Sequence, residues 1–199
     1  MPNADYKLSP EQYCTFSQVN KRGIVHIYGP PGVGKKKTVA YMCIFLRKGL
    51  YLCPSYQSLH NSMDALIKDG YKPMYNIKPQ KGIFHLRHAE SHSRIYLMTI
   101  QRFSFYYYHH SLNFDMDGYE FLVGEELSMW STNLFLPALI LVREIVIIFL
   151  RDVHQLPQVN SPTFPLFDIT STYDSANGPI IPNCELTKNF RSGNNTELS

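Results

Sequence analysis

The residues best suited to chemistry form an octapeptide, GPPGVGKK, at residues 29–36. Gly29, Gly32 and Gly34 reach backbone angles that side chains forbid, so the loop can wrap an anion with its N–H groups turned inward. Pro30, Pro31 and Val33 occupy variable positions of the phosphate-loop pattern G-x-x-x-x-G-K-[ST], and Lys35 supplies a point charge for β- and γ-phosphates. The last position departs from that pattern. Where a hydroxyl should hold Mg2+, the sequence has Lys36, whose ammonium neutralises phosphate charge without holding a metal; Thr38 lies two residues further on. The loop predicts nucleotide binding that survives where hydrolysis does not.

Two further segments carry chemistry. FLVGEELSM, residues 121–129, is an apolar strand ending in Glu125 and Glu126, a pattern that places one carboxylate on a metal and the next on an attacking water. Taken alone, two glutamates at a strand end are more often a solvated helix cap. EIVIIFLRDVHQLPQV, residues 144–159, is a buried run that brings Asp152 and Gln155 to its carboxyl end, where open α/β sheets bind ligands.

These segments need a scaffold. Ahead of the loop, LSPEQ reads as a helix start, with Ser9 as N-cap, Pro10 at the first helical position and Gln12 closing a capping box. That helix is expected to run to about Val19. A β-branched run at 23–28 enters the loop, and a helix over 38–49, ending on a basic turn and Gly49, leaves it. Strands are expected at 50–55, 83–86, 95–100, 120–124, 144–150 and 184–190, with a helix over 56–68 stopped by Gly70. FSFYYYHH, residues 103–110, is too uniformly bulky to choose between helix and strand. Short apolar strands alternating with helices predict an α/β fold with a largely parallel sheet and helices on both faces.

In this order the segments resemble the superfamily 1 DNA helicases of the RecD-like and PIF-like branch. That family writes its acidic motif as DE-x-SM and its third motif as GD-x-x-QLPPV, against EELSM and RDVHQLPQV here. LSPEQ is similar to its adenine-reading glutamine segment, TIQRF (99–103) to its TIHR-type strand end near the DNA path, and LTKNFR (186–191) to its LT-x-N-x-R motif. The resemblance implies a RecA-like P-loop NTPase domain over residues 1–157, using ATP with Mg2+. It implies a Pro/Ser/Asn-rich connection and tail over 158–199 that carries a final motif strand. On the same basis Gln12 reads the adenine, and Lys35 and the loop amides hold the phosphates. Glu126 positions or deprotonates the attacking water, Gln155 senses the γ-phosphate and Arg191 stabilises its charge. Glu125 takes the metal-ligand place usually held by Asp, and Arg151 stands where the family has Gly. With Lys36, three substitutions cluster around one magnesium position.

The family's GTG-containing and TALTRA-type segments are absent from this sequence, so the expected unit is one RecA-like half of a two-half motor. Expected partners are single-stranded or duplex DNA, a second RecA-like half, or other replication and repair proteins. A non-catalytic nucleotide- or DNA-binding remnant acting through partners is the alternative.

Composition narrows the class without choosing the partner. With 199 residues, 44% hydrophobic, 18% charged and a net charge of +3, the sequence is that of an ordinary globular domain, and charge alone does not announce nucleic-acid binding. Cys14, Cys43, Cys53 and Cys184 form no C-x-x-C pair, which fits reduced thiols in an intracellular, soluble protein. The longest apolar stretch, 137–150, is broken by Arg143 and Glu144, so no membrane span is expected. Phe103, Tyr106, Tyr107 and Tyr108, flanked by Arg102 and His109, could stack on bases, although aromatics at this density belong more often to a core. His85, His88 and His92, at helical spacing, read as a solvated or partly packed face rather than a metal site.

Overall fold

Apolar runs of four to seven residues, too short for helices and buried on both sides, build the frame of the molecule. The computed structural model describes residues 8–19, 23–74, 82–109, 118–131, 133–134, 145–152, 173–174, 178–179 and 183–190. In chain order the elements are α1 (Pro10–Val19), β1 (Ile24–Gly29), α2 (Lys35–Phe45), β2 (Lys48–Cys53), α3 (Tyr56–Lys68), β3 (Tyr71–Pro73) and β4 (Phe84–His88). There follow β5 (Arg94–Thr99), α4 (Ile100–His109), β6 (Phe121–Gly124), a 3-10 turn (Leu127–Met129), β7 (Val146–Asp152), β8 (Tyr173–Asp174), β9 (Gly178–Pro179) and β10 (Asn183–Glu185).

Among the described residues, eight strands form one sheet in the order β10-β1-β7-β6-β2-β5-β4-β3, and β8 and β9 pair separately. From β10 to β5 every pairing is parallel; β4 and β3 add an antiparallel edge. Strand alternation sorts the core into two layers. Tyr51, Cys53, Phe121, Val123, Ile148 and Leu150 face one side with Val39, Met42 and Cys43 of α2 and Leu59 and Leu66 of α3. Leu50, Leu52, Leu122, Ile147 and Phe149 face the other, with Ile100, Phe103 and Tyr106 of α4 and Trp130. The α/β expectation with helices on both faces holds.

Several local expectations are corrected. The helix after the phosphate loop starts at Lys35 and ends at Phe45, not at 38–49. Gly49 belongs to β2, where the Phe121 ring lies 2.0 Å from the position of an added Cβ; it makes room for a ring and does not cap a helix. The aromatic block is helical, because Phe103 and Tyr106 are buried under the sheet while Phe105 and Tyr108 point to solvent. His85 and His88 lie on β4 and His92 in the turn after it, so their spacing is not that of a helix face. The strand expected at 184–190 is shorter and starts one residue earlier, at Asn183–Glu185.

Among the described residues no helix is long and apolar enough to cross a membrane, and no cluster of His, Cys, Asp and Glu is arranged to hold a metal ion.

Candidate nucleotide site

The phosphate loop lies between β1, in the interior of the sheet, and α2. Gly34 is the N-cap of α2 at φ 82°, a left-handed angle that suits glycine, and it offers no side chain to cap the helix. The helical ladder opens with Thr38 N donating to Gly34 O at 2.9 Å, so the amides of Lys35, Lys36 and Lys37 have no carbonyl inside the helix to bond. A helix N-terminus, with the positive end of its dipole, is a place that favours anions. Lys35 Nζ curls back over the loop, donating to Gly29 O at 2.5 Å and Pro30 O at 2.8 Å. A phosphate must compete with those carbonyls for the ammonium. Thr38, the nearest hydroxyl, is buried and donates to Gly34 O at 3.0 Å.

Gln12 sits under the loop rather than at its mouth. The capping box expected from LSPEQ forms: Gln12 N donates to Ser9 Oγ at 3.3 Å, and Ser9 N to Gln12 Oε1 at 2.9 Å. The Gln12 side chain is 3% exposed, and its Nε2 lies 2.9 Å from where a Cβ on Gly34 would stand.

The acidic strand end follows from the alternation of β6. Phe121 and Val123 face α2 and α3, so Glu125, two residues on, faces them too, and it is 1% exposed. Its Oε1 forms an ion pair with Lys36 Nζ. Its Oε2 accepts from Ser62 Oγ at 2.5 Å, Ser58 Oγ at 3.1 Å and Cys53 Sγ at 3.4 Å. Lys36 Nζ also donates to Ser62 Oγ at 3.2 Å, closing a ring of contacts. Burial, then the Glu125 charge, pushes the Cys53 thiol and the Tyr51 hydroxyl far above their usual ranges, so both stay protonated beside the carboxylate. A magnesium ion does not fit this donor set: one expected ligand is an ammonium, and the other is already neutralised by it.

Glu126 is less buried and lines the cavity. It adopts a left-handed backbone at φ 49°, rare for a side-chain-bearing residue, secured by Met129 N donating to Glu126 O at 2.8 Å. Trp130 Nε1 donates to the adjoining Glu125 O at 2.9 Å. Burial raises the Glu126 carboxyl above its ordinary value, with Glu125 and Asp152 pushing the same way and Lys36 opposing them.

The third wall is the segment after β10. Leu186 N donates to Tyr28 O at 2.9 Å, and Phe190 N donates to Gly32 O at 3.0 Å, so 186–190 crosses the loop. Thr187 ties it to α1, its N and Oγ1 donating to the two Glu11 carboxylate oxygens at 3.0 and 2.7 Å. These bonds hold the Glu11 carboxyl below its usual range. Phe190 is 49% exposed, with its ring edge 3.5 Å from a Cβ placed on Gly34.

Together these walls enclose a cavity of about 620 Å3 lined by Gly32, Gly34, all three loop lysines, Glu125, Glu126, Asp152 and Phe190. Lys35 and Glu126 thus meet at one cavity, while Gln155 and Arg191 lie outside the described residues. Ser58 and Ser62, which hold Glu125, went unread in the sequence. Their only signal is an i, i+4 pair on a helix, and nothing in that spacing names a carboxylate more than sixty residues away.

A cavity at the carboxyl ends of parallel strands, behind a glycine loop and a helix N-terminus, decides the fold class. The fold is that of a RecA-like P-loop domain. It superposes on two Pif1 helicases coordinating at forked dsDNA with a TM-score of 0.51 and 16% identity, over 96% of this chain and 46% of that one. The helicase domain of Pyrococcus furiosus Hef gives a TM-score of 0.53 at 12% identity, over 87% of this chain and 37% of that one. Bacteroides Pif1 bound to ssDNA gives 0.50 at 14% identity, over 96% and 44%. The chain therefore spans less than half the length of these structures, and at such identities the likeness extends to the fold alone. No family model matches the sequence, and no curated protein sequence matches it.

Proposed function

We propose that this chain is the nucleotide-binding half of a helicase-type ATPase, taking ATP at residues 29–36 and acting on DNA. The observation that carries this reading is the shared cavity, in which the phosphate loop faces a half-buried Glu126 of raised pKa. The loop amides and Lys35 hold the β- and γ-phosphates. Glu126 accepts a proton from the attacking water, a task suited to a carboxyl whose pKa has been moved towards neutrality. Phe190 offers an exposed ring beside the loop for an adenine, and Gln12 supports the loop from beneath. Gln155 and Arg191 retain the phosphate-sensing and charge-stabilising roles that the helicase resemblance gives them. Such a motor works by closing a cleft between two halves, so translocation or unwinding calls for a second RecA-like half.

The Lys36–Glu125 pair favours a second reading, a nucleotide- or DNA-binding module that does not hydrolyse. Equilibrium binding of a fluorescent ATP analogue, followed by a DNA-stimulated hydrolysis assay, separates the two. Lys35→Ala should weaken nucleotide binding by about 10- to 100-fold, the worth of a charge-assisted hydrogen bond, without changing the fold. Unchanged affinity in that variant would refute the loop assignment. Turnover that is absent in the natural protein and appears in Lys36→Thr selects the non-catalytic reading; strong turnover in the natural protein selects the motor.

A further inference from the structure

Lys36 and Glu125 stand in the two places from which phosphate-loop proteins hold magnesium, the residue after the loop lysine and the acid at the end of the neighbouring strand. Here the two places bind each other. An ammonium carries three N–H donors and no lone pair, so Lys36 cannot ligate a cation. The Glu125 carboxylate is paired through Oε1 and accepts through Oε2 from Ser58, Ser62 and Cys53. A divalent ion brought to this carboxylate would stand against the ammonium at a depth where water screens poorly.

Resting on the nucleotide reading above, we infer that the protein binds nucleoside triphosphate as the metal-free polyanion, with Lys36 supplying the positive charge that magnesium supplies elsewhere. Lys36 is placed to do this. Its side chain is 38% exposed, so it spans from the buried carboxylate to the cavity. Its ammonium is paired with the Glu125 carboxylate and donates to Ser62 Oγ, and the same side chain lines the cavity where a phosphate would sit. Lys35 and Lys37 line the same cavity and add two further charges. Magnesium carried in on the nucleotide lowers the ligand's charge and meets the ammonium directly, so the metal gives no net help to binding.

Calorimetric titration of the full chain with ATP, once in Mg2+ and once in EDTA, tests the inference. Affinity in EDTA should be within about twofold of that in Mg2+, or tighter. Binding more than about twofold tighter in Mg2+ overturns metal independence and leaves the nucleotide site standing. No binding in either buffer refutes the nucleotide site itself. The double variant Lys36→Thr, Glu125→Asp should become Mg2+-dependent by about tenfold; continued indifference to the metal would show that the ion pair is not the cause. Should that variant fail to fold, Lys36→Arg, which keeps the cation, should stay metal-indifferent, and Mg2+ dependence appearing in it would overturn the inference.

Discussion

The phosphate loop and the acidic end of β6 face each other across one cavity but are built on opposite plans. The loop is built from its own backbone. Its helix has no side-chain cap, and Lys35 donates to two carbonyls of its own loop. The strand end is closed, its carboxylate buried and surrounded by a cation, two serines and a thiol. An anion can enter the first without breaking the fold, whereas a metal can enter the second only by dismantling an ion pair that joins α2 to β6. Under the proposed reading, the site keeps its half for phosphate while its half for metal has become structural.

The sharpest way to break this contrast is Lys36→Met. It leaves the 1%-exposed Glu125 without its cation and should cost about 2–3 kcal/mol in urea unfolding, less than a fully buried pair because the lysine end reaches water. Lys36→Met with Glu125→Gln should recover most of that loss. A single variant as stable as the natural protein would mean that the pair contributes nothing. Ser62→Ala removes a hydrogen bond to the same carboxylate and should cost about 1–2 kcal/mol in the same unfolding measurement; a variant as stable as the natural protein would mean that this bond adds nothing to the closed strand end. A smaller effect concerns Glu126. Its folded pKa lies above the ordinary 4.5, so the folded chain keeps a proton that the unfolded chain has released. Stability should fall as pH climbs from 4.5 through the raised value, and Glu126→Gln should flatten that part of the pH–stability curve. An unaltered slope in this variant would assign the titration to another group.

The parts legible in sequence were those with local causes. The helix Tyr56–Lys68 ends where Gly70 ends the pattern, and the Ser9–Gln12 box closes as its spacing requires. The loop could be read because glycine, lysine and a following helix are contiguous. What escaped depends on contacts remote in the chain. Gly49 looked like a helix stop because the ring above it belongs to Phe121. The antiparallel edge was hidden because β3 and β4 are short and lie in a stretch without clear periodicity. Lys36 and Glu125 were each noted as misfits at a metal position, and their pairing emerges only once β6 lies beside β2 and opposite α3. Two departures that look like separate losses in the sequence are one substitution in space, a salt bridge in the place of an ion.

The bond from Phe190 N to Gly32 O gives the loop a tether. Residue 190 is fastened to the turn of the loop, and Thr187, three residues before it, is fastened to Glu11 of α1. The segment leaving β10 therefore stitches the loop to the first helix, so two regions far apart in the chain share one anchor.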